Sequence, residues 1–226
     1  FKKMKKKTVK IVFTGGNGRF GSVLKKIKTK YKVYFPSRSQ LDITNFKKAE
    51  NYLKNTKPKF LIHAAALSRP MEIHDKNIIK SIDTNIIGTS NIVKICSKLK
   101  IKLIYFSTNY VYPGTRGNYS ENDNLLPVNN YAWSKLGGEC SVMLYKNSLI
   151  LRTCMTEKPF IHKKAFANVK TSFLYQDEAA QILFKLLNKK GVINVGGKAQ
   201  NIYNFAKKEN KNVKKIYQNK NLKIKI

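Results

Sequence analysis

Residues Val9 to Gly21, VKIVFTGGNGRFG, constrain the chain more than any other stretch. A β-branched and aromatic run, Val9 to Phe13, breaks off in Thr14-Gly15-Gly16. Phe20, Val23, Leu24 and Ile27 then recur at three- and four-residue spacing. The pattern predicts a buried strand, a tight turn and a helix in direct succession. Glycines at 15, 18 and 21 permit the turn, let an anion approach the backbone and allow the helix to pack closely, while the unpaired N–H groups opening the helix attract negative charge. The spacing is GxxGxxG and not the stricter GxGxxG, and glycines also cluster in ordinary loops, so the motif needs support from elsewhere in the chain.

That support begins with alternation. Tyr31 to Phe35, Phe60 to His63, Leu103 to Phe106 and Leu149 to Leu151 read as further strands, each separated by segments able to form helices. Strands alternating with helices imply a parallel sheet covered on both faces, an α/β fold of the Rossmann-like, doubly wound kind. Ile92, Ile95, Cys96 and Leu99 mark one crossover helix. Tyr131 to Tyr145 predicts the next, in spite of the helix-weakening Gly137 and Gly138. A later helix is expected from Asp177 to Leu187, acidic at its start and basic at its end, stopped by Gly191. Val192 to Val195 then reads as a last strand. At 226 residues one principal domain is expected. The division drawn is a dinucleotide-binding domain over 1–154 and a small, reduced substrate lobe over 155–226, with one helix and strand returning to the main sheet.

The net charge of +33 invites a polyanion partner. Of the 45 basic residues, however, only Arg19, Arg38, Arg69, Arg116 and Arg152 are Arg, and readers of base sequence lean on Arg for bidentate contacts. Scattered lysines predict attraction for anionic small molecules and no specific nucleic acid. Cys96, Cys140 and Cys154 are odd in number and widely spaced, which indicates neither a disulfide framework nor zinc. His74 and His162 lack companions at ligand spacing, so no metal is expected. The basic start is too short and too interrupted for a signal peptide or membrane span, which predicts a soluble, cytoplasmic protein without membrane attachment. Homodimerisation stays open.

Tyr131-Ala132-Trp133-Ser134-Lys135 puts a phenol and an ammonium on one helix face, where the cation is expected to lower the phenol pKa from about 10. The spacing also fits a surface pair in a lysine-rich chain. It gains weight by following Phe106-Ser107-Thr108-Asn109-Tyr110-Val111-Tyr112, whose Thr108 hydroxyl is expected at the carboxyl end of a parallel strand, where doubly wound sheets place ligands.

Thr14 to Gly21, His63-Ala64-Ala65-Ala66, Ser107 to Tyr112, Tyr131-x-x-x-Lys135 and Leu151-Arg152-Thr153 occur in the order seen in the extended short-chain dehydrogenases/reductases. Among these the chain most resembles the dTDP-4-dehydrorhamnose reductases. The resemblance implies reduction of a nucleotide-linked 4-keto-sugar, with Thr108 orienting the carbonyl, Tyr131 as acid, and Lys135 holding the cofactor ribose and tuning Tyr131. It also implies cofactor contacts from Gly15, Asn17, Gly18, Arg19, Phe20 and Gly21, from Asp42 and Ile43, and from Ala64, Ala65 and Ala66. Asn85 falls where the family often orders a relay water, and is equally readable as a helix-surface Asn. His63 reads as structural. Met155 stands where these reductases commonly carry an aromatic residue. NADPH is expected over NADH, because Arg38 follows the second strand where an acid would repel a 2′-phosphate. The rival expectations are an NAD-dependent nucleotide-sugar epimerase or dehydratase, and a dinucleotide-binding protein without catalysis.

Overall fold

The computed structural model describes residues 8–218; the basic start and the last eight residues lie outside them. Strands β1 (Lys10–Thr14), β2 (Lys32–Tyr34), β3 (Phe60–His63), β4 (Lys102–Thr108) and β5 (Ser148–Thr153) form a parallel sheet, joined at its far edge by the strand Gly191–Val195. From that edge the order runs Gly191–Val195, β5, β4, β3, β1, β2. The chain leaves β1 towards β2 and returns to β3 on the opposite side, so the direction of winding reverses between β1 and β3. A crevice opens at such a reversal, outside the carboxyl ends of the strands. Register sets what reaches it: Thr14 pairs His63, His63 pairs Tyr105, and Thr108 pairs Thr153.

Alternate residues of each strand face opposite layers. Ile11, Phe13, Ile62, Ile104, Phe106 and Leu151 pack on one side against Phe20 and Leu24 of α1 (Arg19–Leu24) and against Ala180, Leu183 and Leu187. Val12, Leu61, Leu103, Tyr105 and Ile150 pack on the other, against Leu53 of α2 (Phe46–Thr56) and against Ile92, Ile95 and Val142. With both faces covered, the strands read as unbroken apolar runs and not as alternation. Asn45 caps α2, its side chain accepting from the Lys48 N–H.

Two short helices, α3 (Ile73–Lys76) and α4 (Ile78–Ser81), lead into a π-helical segment, Ile82–Ile87, which runs directly into α5 (Gly88–Leu99). The next helix, α6 (Asn130–Met143), starts under the cap of Asn129, whose side chain accepts from the Ala132 N–H. Gly137 and Gly138 lie in its interior. A methyl group at Gly138 would come within 2.5 Å of the Asn85 carbonyl oxygen, and one at Gly137 within 2.8 Å of Ile86. The glycines thus let α6 approach the π-helical segment, and that packing offsets their low helix propensity.

After β5 the chain builds a lobe from short strand pairs, Met155–Thr156 with Leu174–Tyr175, Lys164–Phe166 with Lys214–Ile216, and Lys170–Thr171 with Gln200–Asn201. Helix α7 (Gln176–Leu186) and the strand Gly191–Val195 return to the main sheet, and α8 (Ile202–Lys207) closes the lobe over Phe160, Ala165, Phe205, Ala206 and Val213. The chain after the strand Gly191–Val195 is therefore folded as far as Ile216. Strand ends differ from expectation: β4 runs on through Ser107 and Thr108, and β5 through Arg152 and Thr153, because their polar side chains find partners inside the protein. No helix among the described residues is long and apolar enough to cross a membrane.

Candidate functional site

A cleft of about 1040 Å³ opens at the carboxyl ends of the strands, between the sheet and the lobe. The turn after β1 forms one end. Gly15 adopts φ +84°, and a methyl group there would sit 2.9 Å from the Ala65 nitrogen; one at Gly21 would sit 2.6 Å from the carbonyl oxygens of Gly15 and Gly16. Only glycine fits either place. The turn can therefore lie flat beneath an extended anion at the amino end of α1, and Gly15, Asn17, Gly18, Arg19, Phe20 and Gly21 all border the cleft. Phe20 does so from the core, with its ring centroid 4.9 Å from that of Phe106. These features fit a dinucleotide.

Ala64, Ala65 and Ala66 line the next part of the wall, after β3. Behind them His63 is wholly buried, its Nδ1 2.8 Å from Thr14 Oγ1 and its Nε2 3.1 Å from Thr89 Oγ1. Burial, with the Lys135 cation nearby, lowers its pKa to about 3. A neutral imidazole with both nitrogens engaged ties two strands to α5. At the outer end stand Arg38, Asp42 and Ile43. Arg38 Nε pairs with Asp42 Oδ2 at 3.0 Å, and Asp42 Oδ1 accepts from the Thr44 hydroxyl and N–H. Burial pushes the Asp42 carboxyl up, but the Thr44 and Arg38 bonds outweigh it and hold it below the usual range. The acid absent from the sequence segment at Arg38 is thus brought beside it by the fold, with its charge already matched.

Thr108, Tyr131 and Lys135 meet at the other end of the cleft. Thr108 is the last residue of β4, and its hydroxyl accepts from the Tyr110 N–H at 3.2 Å. Tyr131 and Lys135 share a face of α6, and the Lys135 ammonium lies 4.1 Å from the Tyr105 ring centroid. Ionisation differs here from expectation. Burial, reinforced by Tyr110, raises Tyr131 to about 12, against the opposing Thr108 hydrogen bond and Arg69. Lys135 falls to about 7 because it is buried, although Glu139 favours its charge. Burial dominates both groups, and Lys135 is not among the neighbours that move the Tyr131 phenol.

Asn85 is no helix-surface residue. It is fully buried, its Oδ1 accepting from the Leu67 N–H at 2.8 Å and its Nδ2 donating to the Leu67 carbonyl at 2.9 Å and to Ser134 Oγ at 2.8 Å. It staples the wall after Ala66 to the helix carrying Tyr131. His74 packs on Tyr131, ring centroids 5.3 Å apart. Behind Thr108, Glu139 accepts from Arg152 and Ser107. Arg69, Thr153, Thr156, Glu157 and Gln176 also line the cleft and escaped sequence reasoning, since each belongs to it only through folding. Rarity was the one signal available, Arg69 being one of five arginines and Glu157 one of 12 acids in a basic chain. No cluster of three potential metal ligands exists among the described residues.

Fold and site together define an α/β protein of the extended short-chain dehydrogenase/reductase class. Residues 9–183 match the family model described as RmlD substrate binding domain, and the chain belongs to that family. A dTDP-4-dehydrorhamnose reductase of Aggregatibacter actinomycetemcomitans is 29% identical over 152 residues, 65% of this chain and 51% of the relative. The chain thus spans about half the length of this reductase relative. A shorter match, 33% identical over 91 residues, covers 40% of this chain and 27% of the Xenopus laevis methionine adenosyltransferase 2 subunit beta. The crystal structure of a dTDP-4-dehydrorhamnose reductase from Bacillus anthracis in complex with NADP superposes with a TM-score of 0.84, at 24% identity over 95% of this chain and 86% of that one.

Proposed function

We propose that the chain is an NADPH-dependent reductase of a nucleotide-linked 4-keto-sugar. The observation that carries this reading is the convergence of the glycine turn and of Thr108, Tyr131 and Lys135 on one cleft of about 1040 Å³. The family and its reductase relatives support it, as does the NADP named with the Bacillus anthracis structure. Gly15, Gly18 and Gly21 would hold the dinucleotide's diphosphate, Arg38 its 2′-phosphate, Ile43 and Asp42 its adenine end, and Lys135 its ribose. When bound, the reduced cofactor supplies a hydride to the carbonyl carbon.

The chain's own residues do the rest. Thr108 and Tyr131 hold the carbonyl oxygen, and Tyr131 gives it a proton. A phenol held at about 12 keeps that proton until charge develops on the oxygen, and the nearby Lys135, at about 7, exchanges protons near neutral pH. Residues 155–226 are proposed as the lobe that grips the nucleotide-sugar. Free Cys96, Cys140 and Cys154 support a reducing, cytoplasmic setting, and exposed Ile78, Ile79 and Trp133 support a homodimer.

The test is turnover of nucleotide-linked 4-keto-sugars with NADPH, followed by nicotinamide absorbance, for the protein and for Tyr131→Phe. The variant should bind NADPH and lose about 10²–10⁴-fold in turnover, the usual worth of a positioned acid. Near-normal turnover by Tyr131→Phe would overturn the assignment. A dinucleotide-binding protein without turnover is the second reading; a full absence of reduction with intact NADPH binding would select it.

A further inference from the structure

Three charged side chains from distant parts of the chain meet over the cleft. Arg19 opens α1, Arg69 follows β3, and Glu157 enters from the lobe. Glu157 Oε1 accepts from Arg19 Nη1 at 2.8 Å and from Arg69 Nη1 at 3.0 Å, and Oε2 lies 3.5 Å from Arg69 Nη2. The carboxylate is the enclosed member, its side chain 12% exposed against 49% for Arg19 and 36% for Arg69. Burial pushes its pKa up, yet the Arg19 hydrogen bond and both guanidinium charges carry it below the usual carboxylate range. Arg69 lines the same cleft as Thr108, Tyr110 and Tyr131, and through Glu157 it is joined to Arg19 at the glycine turn.

Two guanidiniums converging on one carboxylate are built to hold an oxyanion, since their forked donors match carboxylate and phosphate alike. A tethered monoanion fills that place here. We propose that Arg69, assisted by Arg19, is the receptor for the diphosphate of the substrate, and that Glu157 is its tethered stand-in. A diphosphate carries enough charge to displace the carboxylate; a neutral sugar does not. Glu157 therefore selects nucleotide-linked sugars over free ones. The inference rests on the nucleotide-sugar reading above. The cofactor's own diphosphate has the same chemistry, but the glycine turn already provides for it.

The experiment is calorimetric titration of dTDP into the NADPH-loaded protein and into its Glu157→Gln, Arg69→Gln and doubly substituted forms. Removing the internal competitor should tighten dTDP about tenfold, Arg69→Gln should weaken it by a similar factor, and Glu157→Gln should bring little gain once Arg69 is gone, because charge-assisted hydrogen bonds are exchanged one for another. An equal gain in both backgrounds would mark mere loss of a negative charge and overturn the proposal, as would unchanged or weaker dTDP binding by Glu157→Gln. NADPH titrated into the cofactor-free proteins separates the two sources: a tenfold gain for NADPH and none for dTDP overturns the assignment to substrate. If none of the four proteins binds dTDP, the nucleotide-sugar reading falls and this inference with it. If the unmodified protein binds dTDP and Glu157→Gln binds it equally, only the inference falls.

Discussion

Replacing Glu139 by Gln probes the buried charge network that backs the site. Glu139 is 1% exposed and Arg152 5%. Glu139 Oε1 accepts from Arg152 Nε at 3.0 Å and Nη2 at 2.6 Å, while Oε2 accepts from the Ser107 hydroxyl at 2.5 Å. Arg152 Nη1 donates in turn to the Tyr112 hydroxyl at 2.7 Å and to the Glu121 carbonyl at 3.0 Å. Removing one charge strands the other away from water, which costs about 3–5 kcal/mol. Against a total stability of roughly 5–15 kcal/mol this is a large share. For a domain of this size each kcal/mol moves the melting point by about 2–4 °C, so Glu139→Gln should melt roughly 6–20 °C lower. Glu139 also favours the charge on Lys135 one turn away, so its loss should carry Lys135 further below about 7. The assay is urea unfolding and thermal melting at pH 7.5 of the unmodified protein, Glu139→Gln, Arg152→Met and the double variant Glu139→Gln with Arg152→Met. The double variant should lose less than the sum of the single losses, since no lone charge stays buried. A loss below about 1 kcal/mol in Glu139→Gln, the usual worth of an exposed pair, would refute the reasoning.

Three further outcomes are expected. Arg38→Ser should weaken NADPH much more than NADH in fluorescence titrations, since only NADPH carries the 2′-phosphate that Arg38 is proposed to hold; equal losses would count against the 2′-phosphate role. Gly21→Ala drives a methyl group to 2.6 Å from two carbonyl oxygens that cannot yield. It should cost about 1–3 kcal/mol in urea unfolding and lose NADPH binding, and normal values for both would contradict the close approach. Because His63 has a folded pKa near 3, below its unfolded value near 6.5, the unfolded chain binds the extra proton between those limits. His63 thus stabilises the fold fully above about pH 6.5 and loses that contribution as pH falls towards 3, by up to about 1.4 kcal/mol per pH unit. His63→Asn should flatten this slope in urea unfolding at pH 7.5, 5.5 and 4.5, and an unchanged slope would show that another group titrates.

Much of this molecule was legible along the chain because its determinants are local. The run Val9 to Phe13 and the glycines after it specify strand, turn and helix through backbone freedom and side-chain period alone. Tyr131 and Lys135 share a helix face at four-residue spacing, and one strand after another shows the apolar run of a sheet covered on both sides. Order along the chain then predicted the doubly wound sheet. What the tertiary structure decided depends on groups far apart in sequence. Gly137 and Gly138 look like weaknesses in a helix until Asn85 and Ile86 close on them. The ionisation of Tyr131 and Lys135 follows from how much water the folded protein removes, which no spacing encodes, and it ran opposite to the expectation for Tyr131. The bridge from Arg19 to Glu157 joins residues 138 apart, and that from Arg69 joins residues 88 apart. Coulomb attraction and desolvation act through space between atoms brought within a few ångströms, so only the closed fold could assemble them.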